Sequence, residues 1–387
     1  MPEGPLSGTT IVDLSRVLAG PYCTMVLADL GARVIKVERP GAGDDARQMG
    51  PLINGHSAYF ASVNRGKESI ALDLTASSDR AVFERLLDGA DVLVENFRPG
   101  VLDRLGYGWE KVAARWPGLV LASVSGFGQT GPYSDRPSYD MVAQAMGGIM
   151  SITGQPGGEP VRVGSSIGDL AAALFCAIGV VSALYERRVS GRARHVDVSM
   201  LDSQVALLEN AVVRYAASGV VPGPLGARHP SIAPFGVFRA GSGSRLVIAA
   251  GNDKIFDRLC QALGVPGLAQ DVRFGSNELR CQHDAELEAL LEGVLAVRPA
   301  DEWLGVLEAG QVPCSPINDM AAVLADPQVA ARHMIVTLDD PTLPGLRVAG
   351  NPIKLSGVAD PAVRPGAPAL DANRDAILAE LDQPERS

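Results

Sequence analysis

Short apolar runs alternate with segments of helical periodicity through the first 130 residues of the chain. Residues 9–15 (TTIVDLS) read as a strand, 21–31 (PYCTMVLADLG) as a helix opening on Pro and closing on Gly, and 32–38 (ARVIKVE) as a second strand. Together they make a βαβ unit. Residues 69–74 (SIALDL), a helical stretch over 79–87, then 91–96 (DVLVEN) and 119–125 (LVLASVS) continue the alternation. Such runs of Val, Ile and Leu suit strands buried on both faces, so the pattern predicts a mostly parallel sheet covered by helices, a Rossmann-like α/β half.

From Tyr139 the period turns helical through MVAQAMGGIM, through a second helix that carries Asp169 and, after a short strand in HVDVSM, through a long helix from about Leu201. Residues 219–236 then break all periodicity with four prolines and four glycines, which predicts a linker. GVFRA, GSGS and RLVIAA follow as a β-hairpin, with helical stretches over 254–263, 285–297 and 301–310. The expected organisation is a large domain over 1–218, the linker, a small α/β domain over 237–318, and a return segment over 319–387. LRVAGNPIKLSG and a final helix over 373–381 would complete the large domain.

A length of 387 residues, 47% hydrophobic and 20% charged, describes a folded globular chain of more than one domain. The net charge of −10 disfavours nucleic acid, whose phosphates select clustered Lys and Arg. An anionic small molecule would need a local basic pocket. Cys23, Cys176, Cys260, Cys281 and Cys314 are widely spaced without CxxC, as in a reducing cytosol where each serves as a small hydrophobe. MPEGPLSGTT lacks the pattern of a signal peptide, and the apolar run over 170–185 is shorter than the ~20 residues that cross a bilayer. The expectation is a cytoplasmic protein with no membrane partner. His56, His195, His229, His283 and His333 are too scattered for HExxH or a His/Cys cluster, so no metal is expected.

The turn after the first strand is RVLAGP, without the glycines that bring a dinucleotide pyrophosphate to a helix N-terminus. Glu38 ends the second strand where a ribose-binding acid would stand, but Arg39 beside it suits a phosphate better. A nicotinamide dehydrogenase is therefore a minor alternative. Arg16, Arg39, Arg47, Arg65, Lys67, Arg98 and Arg104 follow strand ends or lie in adjoining loops, at the edge where open α/β sheets bind ligands. As a group they predict an anion pocket; singly, each reads as a solvated loop cation.

Asp169 is the one charge in residues 164–185. An Asp ahead of an apolar helix is most often an N-cap, with a dipole interaction of ~0.3–1 kcal/mol. Yet Ser165, Ser166 and Gly168 offer capping of their own, and Gly164, Gly168, Ala171 and Ala172 leave space for a ligand beside the carboxylate. Held against the helix N-terminus, Asp169 is expected to stay ionised despite partial burial, and an ionised, poorly hydrated carboxylate is a usable nucleophile. Residue chemistry leaves both roles open.

Five segments taken in order, DLSRVLAGPYCTMVLADLGARVIKVERPGAGDDAR, NRGKESIALDL, ADVLVENFRPGVLDRLG, ASVSGFGQTGPYSDRPSYDMVAQAMGG and GSSIGDLAAALFCAIGVVSALYERRVSGRARHVDVSM, resemble the class III (CaiB/BaiF-type) CoA-transferase family. That family includes formyl-CoA, carnitine and dicarboxylate CoA-transferases and 2-methylacyl-CoA racemases. The resemblance implies a Rossmann-like domain built from both termini, a small α/β domain, and ring-shaped subunits interlocked as a homodimer. It implies coenzyme A or acyl-CoA and a small carboxylic acid as substrates, with no permanently bound cofactor. Asp169 falls on the family's catalytic aspartate, which would carry CoA as an aspartyl-CoA thioester between two mixed anhydrides. Arg39, Leu72, Leu74, Asn96, Phe97, Arg98 and Arg104 fall in its nucleotide-binding motifs. Arg16, Val17, Leu18 and Ala19 match the turn at the thioester end, and Tyr139 reads as a core aromatic or as a wall of the CoA pocket.

Departures from the family pattern narrow the expectation. Formyl-CoA transferases carry Gln where Leu18 stands, Lys near Pro137 and an extra glycine-rich loop, which points away from formyl-CoA or oxalate here. The racemases place His at the Tyr139 position; with SYDMVAQ there, transferase stands ahead of racemase, and a non-catalytic acyl-CoA-binding protein is the remaining alternative. His229 resembles a position near the family's active site. Arg47 or Arg65 could hold the second carboxylate of a substrate such as succinate.

Overall fold

The computed structural model describes residues 4–383, which divide into two units. The first takes the chain up to Met150, Arg162–Val220 and the chain from Pro327 onward; the second takes Ser151–Val161 and Val221–Asp326. Sequence periodicity assigned Ser151–Val161 to the large domain and made 219–236 a linker. Instead the Gly154 carbonyl accepts the N–H of Gly226 at 2.9 Å, a pairing between distant segments that ties both stretches into the second unit.

Six strands form the central sheet of the first unit: β1 (Thr10–Asp13), β2 (Arg33–Glu38), β3 (Glu68–Ala71), β4 (Val92–Glu95), β5 (Val120–Ser125) and β6 (His195–Ser199). Every neighbouring pair is parallel, in the order β3-β2-β1-β4-β5-β6. The order reverses between β1 and β4, and such a reversal opens a crevice at the carboxyl ends of the strands. Alternate side chains serve opposite faces: Ile11, Val34, Val92 and Val120 pack into one core, Val12, Ile35, Leu93 and Leu121 into the other. This is why the strands read as unbroken apolar runs.

Helix α1 (Ala19–Asp29) follows β1 and starts before Pro21. Gly20 allows that start, because a Cβ there would lie 2.2 Å from Ser15 Cβ. After α2 (Ala58–Asn64) and α3 (Asp140–Met146) comes α4 (Ile167–Ser190), the helix that opens near Asp169. One face of α4 sends Ala172, Ala173, Cys176 and Val180 into the first core. Its other face exposes Leu174, Phe175, Ile178, Tyr185 and Val189. By length and composition α4 could cross a membrane, although the sequence run looked too short. The expected long helix from Leu201 is two, α5 (Met200–Leu207) and α6 (Glu209–Ser218), broken at Leu208.

The chain's last described segment closes the sheet. Helix α7 (Arg374–Leu381) places Ile377 in the second core, while Asp371 accepts the N–H of Ala71 at 2.7 Å and Asn373 that of Ser69 at 2.9 Å. These bonds occupy the otherwise open edge of β3. In the second unit an antiparallel hairpin, Phe235–Arg239 with Arg245–Ala249, packs Phe238 and Ile248 against Leu259, Leu291 and Trp303.

Candidate active site

The crevice floor is built from paired charges. Asp13 at the end of β1 meets Lys67 at 3.0 Å and accepts from Thr24 at 2.7 Å, and Lys36 on β2 meets Asp44 at 2.9 Å; the side chains of both ion pairs are fully buried. Burial pushes the Asp13 and Asp44 carboxyls up, but the facing lysines and hydrogen bonds outweigh it and hold both below the ordinary carboxylate range.

This floor fixes the turn after β1. Val17 sits at φ 67°, a left-handed conformation that is strained for a β-branched residue. Asp44 accepts the Val17 N–H at 3.0 Å, while Asn96 accepts the Arg16 N–H and donates to the Arg16 carbonyl, both at 2.8 Å. Lys36 holds the Ser15 carbonyl at 2.7 Å. The strained turn is thus pinned from three sides.

The same pairing removes three cations from the expected anion pocket. Arg47 grips Glu38 at 2.7 and 2.6 Å and crosses the Phe60 ring, Arg65 pairs with Asp29 at 2.5 Å, and Lys67 is spent on Asp13. A buried charge needs such a partner, so neither Arg47 nor Arg65 is free to hold a substrate carboxylate. Glu38 also accepts from Ser69 at 2.6 Å and from the Asp44 N–H at 3.0 Å, which leaves no place for a ribose.

Two cavities open above this floor. One of about 510 Å³ lies along the carboxyl ends of β1 to β3, with Leu14, Leu72, Leu74 and Phe97 as walls and Arg16 and Arg39 among its lining. The other, of about 230 Å³, is bordered by Arg16, Val17, Leu18, Ala19, Asn96, Phe97, Arg98, Tyr139 and Asp169. Arg16 and Phe97 belong to both, with the guanidinium 5.6 Å from the ring centre. Among the predicted contact residues Arg104 borders neither; it lies exposed on Val101–Leu105. Tyr139 is 79% exposed and is no core aromatic. His229 belongs to the second unit, where its ring lies 5.3 Å from that of Phe235.

Asp169 differs from the acids of the floor. It is half-buried in the first turn of α4 and, among the described residues, has no hydrogen-bond or ion-pair partner. It is not the cap. Ser166 holds the N-cap position without a side-chain bond, and the N–H of Gly168 donates instead to Asp140 Oδ1 at 2.8 Å. Space at Gly168 is likewise filled from within, since a Cβ there would meet Asp140 Oδ1 at 3.0 Å and Ala143 at 3.4 Å; Ala171 and Ala172 face the core.

Asp169 is therefore not kept ionised as a helix N-terminus alone would keep it. Burial, and then the charge of Asp140, push its carboxyl up to about 7. Glu95 is also pushed up to about 7 by burial, yet it accepts the Phe97 N–H at 2.7 Å and borders neither cavity. Among the described residues, only the Asp169 carboxylate combines a raised pKa, a cavity and free oxygens.

Sequence reasoning missed Tyr59, Asp140, Asp45 and Met200. Burial, then the charges of Asp169 and Asp44, push the Tyr59 hydroxyl up to about 12. Asp45 receives Arg16 at 3.1 Å and Arg39 at 2.9 Å at the cavity rim, and Met200 lines the smaller cavity. Asp140 and Gln144, one turn apart in SYDMVAQ, carried the only usable signal: two polar side chains on one face of an apolar helix.

Along nearly its whole length the chain is similar to known proteins. The family model described as CoA-transferase family III matches residues 6–374. The chain is 47% identical over 385 residues to an acetyl-CoA:oxalate CoA-transferase of Acetobacter aceti, covering 99% of this chain and 97% of that one. It is 39% identical to a succinate–glutarate CoA-transferase of Agrobacterium fabrum, covering 99% and 97%. Among solved structures, a CAIB/BAIF family protein from Brucella suis matches with a TM-score of 0.86 at 40% identity, covering 98% of this chain and all of that one.

Proposed function

Because this chain belongs to CoA-transferase family III and is an acyl-CoA:carboxylate CoA-transferase, we propose that it moves CoA from a short acyl-CoA to a dicarboxylic acid through a covalent adduct on Asp169. The observation that carries this reading is a carboxylate left without donors in the lining of a cavity that shares Arg16 and Phe97 with a larger one. In the larger cavity the adenine and ribose of CoA would lie against Leu72, Leu74 and Phe97, with Arg16 and Arg39 there and Arg98 at the smaller cavity for its phosphates. The pantetheine arm would reach the smaller cavity along Val17 to Ala19.

An Asp169 oxygen bonds the thioester carbonyl carbon of the donor, the C–S bond breaks, and CoA leaves as thiolate. The thiolate attacks the Asp169 carbonyl carbon of the mixed anhydride and frees the donor acid as carboxylate. The acceptor carboxylate then attacks the aspartyl-CoA thioester, releasing thiolate again; the thiolate attacks the acceptor's acyl carbon, and the Asp169 carboxylate is restored. No proton or electron is gained or lost overall, and one covalent residue divides a hard exchange into easier steps.

The names of relatives that use oxalate, succinate and glutarate support a dicarboxylate. Oxalate, disfavoured by Leu18 and Pro137, returns to the candidates because the relative at 47% identity is named for it. We also propose a cytoplasmic homodimer, for which the exposed face of α4 is the support: Leu174, Phe175, Ile178, Tyr185 and Val189 form an apolar stripe that a second copy would cover. Light scattering after size exclusion tests that assembly.

The function is tested by pairing acetyl-CoA or succinyl-CoA with oxalate, succinate or glutarate and following new acyl-CoA by chromatography and mass spectrometry. Transfer in at least one pair is expected. Free CoA and hydrolysed acid from every pair, with no new thioester, would contradict it.

A further inference from the structure

Among the described residues, three polar groups outside the reaction described above border a cavity or lie buried. The Arg364–Asp360–Lys354 cluster borders a cavity of about 380 Å³, but its charges satisfy one another, both cations lying 2.5 Å from Asp360. Gln204 is fully buried with neither end of its amide bonded, but both ends are sealed from any ligand. Asp140, with Gln144, is different, because its bonds lead directly to the nucleophile.

Asp140 opens α3 and is 8% exposed, and Gln144, one turn on, is fully buried. Gln144 donates to Asp140 Oδ2 at 2.8 Å and accepts the N–H of Val163 at 2.9 Å, while Asp140 Oδ1 takes the N–H of Gly168 at 2.8 Å. The segment that leads into α4 and the first turn of that helix are thus clamped by one pair of side chains. The clamp fixes where Asp169 stands. It also occupies a donor of the helix start, and it does so with a negative charge.

We propose that Asp140 is the positioning residue of the reaction: through Gly168 and Gln144 it sets the start of α4, and it places a second negative charge beside Asp169 that repels that carboxylate until the acyl group arrives. This rests on the reading of Asp169 as nucleophile. Two carboxylates close together repel, and acylation of Asp169 removes one of the two charges, so the repulsion is present before the attack and relieved by it. A neutral cap would hold the helix equally well without this effect. Besides Asp140, the groups that face Asp169 are Tyr59 from α2 and, around the smaller cavity, Arg16, Asp45, Arg98 and Arg136.

Asp140→Asn and Asp140→Ala separate the two parts of the role. Asparagine keeps an oxygen for the Gly168 N–H and loses the charge, whereas alanine loses both. In the parent, kcat/KM for the acyl-CoA should fall on the acid side of about pH 7. With Asp140→Asn that limb should move at least half a pH unit lower while kcat at pH 8.5 stays within about fivefold. With Asp140→Ala kcat should fall a further tenfold or more, with KM for the acyl-CoA changed less than threefold, so that asparagine rescues position but not the pH limb. Far-ultraviolet circular dichroism confirms that each variant is folded; if alanine is not, Gln144→Ala takes its place for the positional part. An acid limb unmoved in Asp140→Asn, or a loss confined to KM, would overturn the proposal. Asp169→Ala is assayed alongside: if it forms the CoA adduct and turns over, the nucleophile reading itself has failed, a result distinct from failure of the Asp140 role.

Discussion

The crevice floor and the first turn of α4 both place carboxylates out of water, and they treat them in opposite ways. On the floor Asp13, Asp44 and Glu38 each face a cation at 3.0 Å or less and accept further hydrogen bonds. At α4, Asp169 faces another carboxylate and no donor. Here paired burial lowers the pKa and yields a rigid support; unpaired burial raises it and leaves a carboxylate with free oxygens beside a cavity. The floor holds a strained turn in place, and that turn and the unpaired acid line the same small cavity. Charge alone does not mark the site. The missing partner does.

The contrast can be broken most severely at Asp169, the proposed nucleophile. Asp169→Ala should lower transfer by roughly 10³-fold or more while the chain stays folded, since no ion pair or cap depends on the side chain; steady-state assay and circular dichroism check both halves. A loss of similar free energy but opposite kind is expected from the floor. Asp13→Ala strands Lys67 in the interior and should cost about 3–5 kcal/mol of stability, visible as a fall in the denaturant midpoint.

A smaller effect sharpens the comparison by reversing its sign. The Asp169 carboxyl is raised from 3.8 to about 7 in the native state. Below about pH 3.8 both states are protonated and it contributes nothing; between about 3.8 and 7 the unfolded chain ionises first, so stability falls, and above about 7 the penalty is constant. Asp169→Asn should therefore be more stable than the parent by about 1–3 kcal/mol at pH 8, discounted for partial exposure, and equal to it at pH 3. Thermal melts at the two pH values decide this. A melting temperature lowered at pH 8 would contradict it.

The smallest effect is expected at the rim. Arg39 is 59% exposed in its pair with Asp45, so Arg39→Ala should change stability by less than about 0.5 kcal/mol. It should raise KM for acyl-CoA by roughly 3- to 10-fold with little change in kcat, the pattern of a phosphate contact made equally throughout the reaction. A fall in kcat alone would place Arg39 elsewhere.

Much of the sheet was legible because strands buried on both faces cannot hide their composition: IVD, VIKV and VLVE read as they lie. Asp169 was legible as a lone charge in an apolar run. What failed to show was pairing. An Arg in a loop looks the same whether it faces water, as Arg39 does, or ends on a buried acid, as Arg65 does with Asp29. The ionisation of Asp169 was misread for a related reason: the helix start suggested stabilisation, while the acid that caps it, Asp140, comes from another helix. Ser151–Val161 joins the second unit through contacts that no local period reveals.

The central claim is that Asp169 carries the transferred CoA. It is tested most directly by incubating the protein with acetyl-CoA or succinyl-CoA, without acceptor, quenching in acid, and measuring the mass of the proteolytic peptide that contains Asp169. A CoA adduct on that peptide, absent in Asp169→Ala and discharged when a dicarboxylate is added, is the expected result. An adduct on any other residue, or transfer in full with none on Asp169, would contradict it.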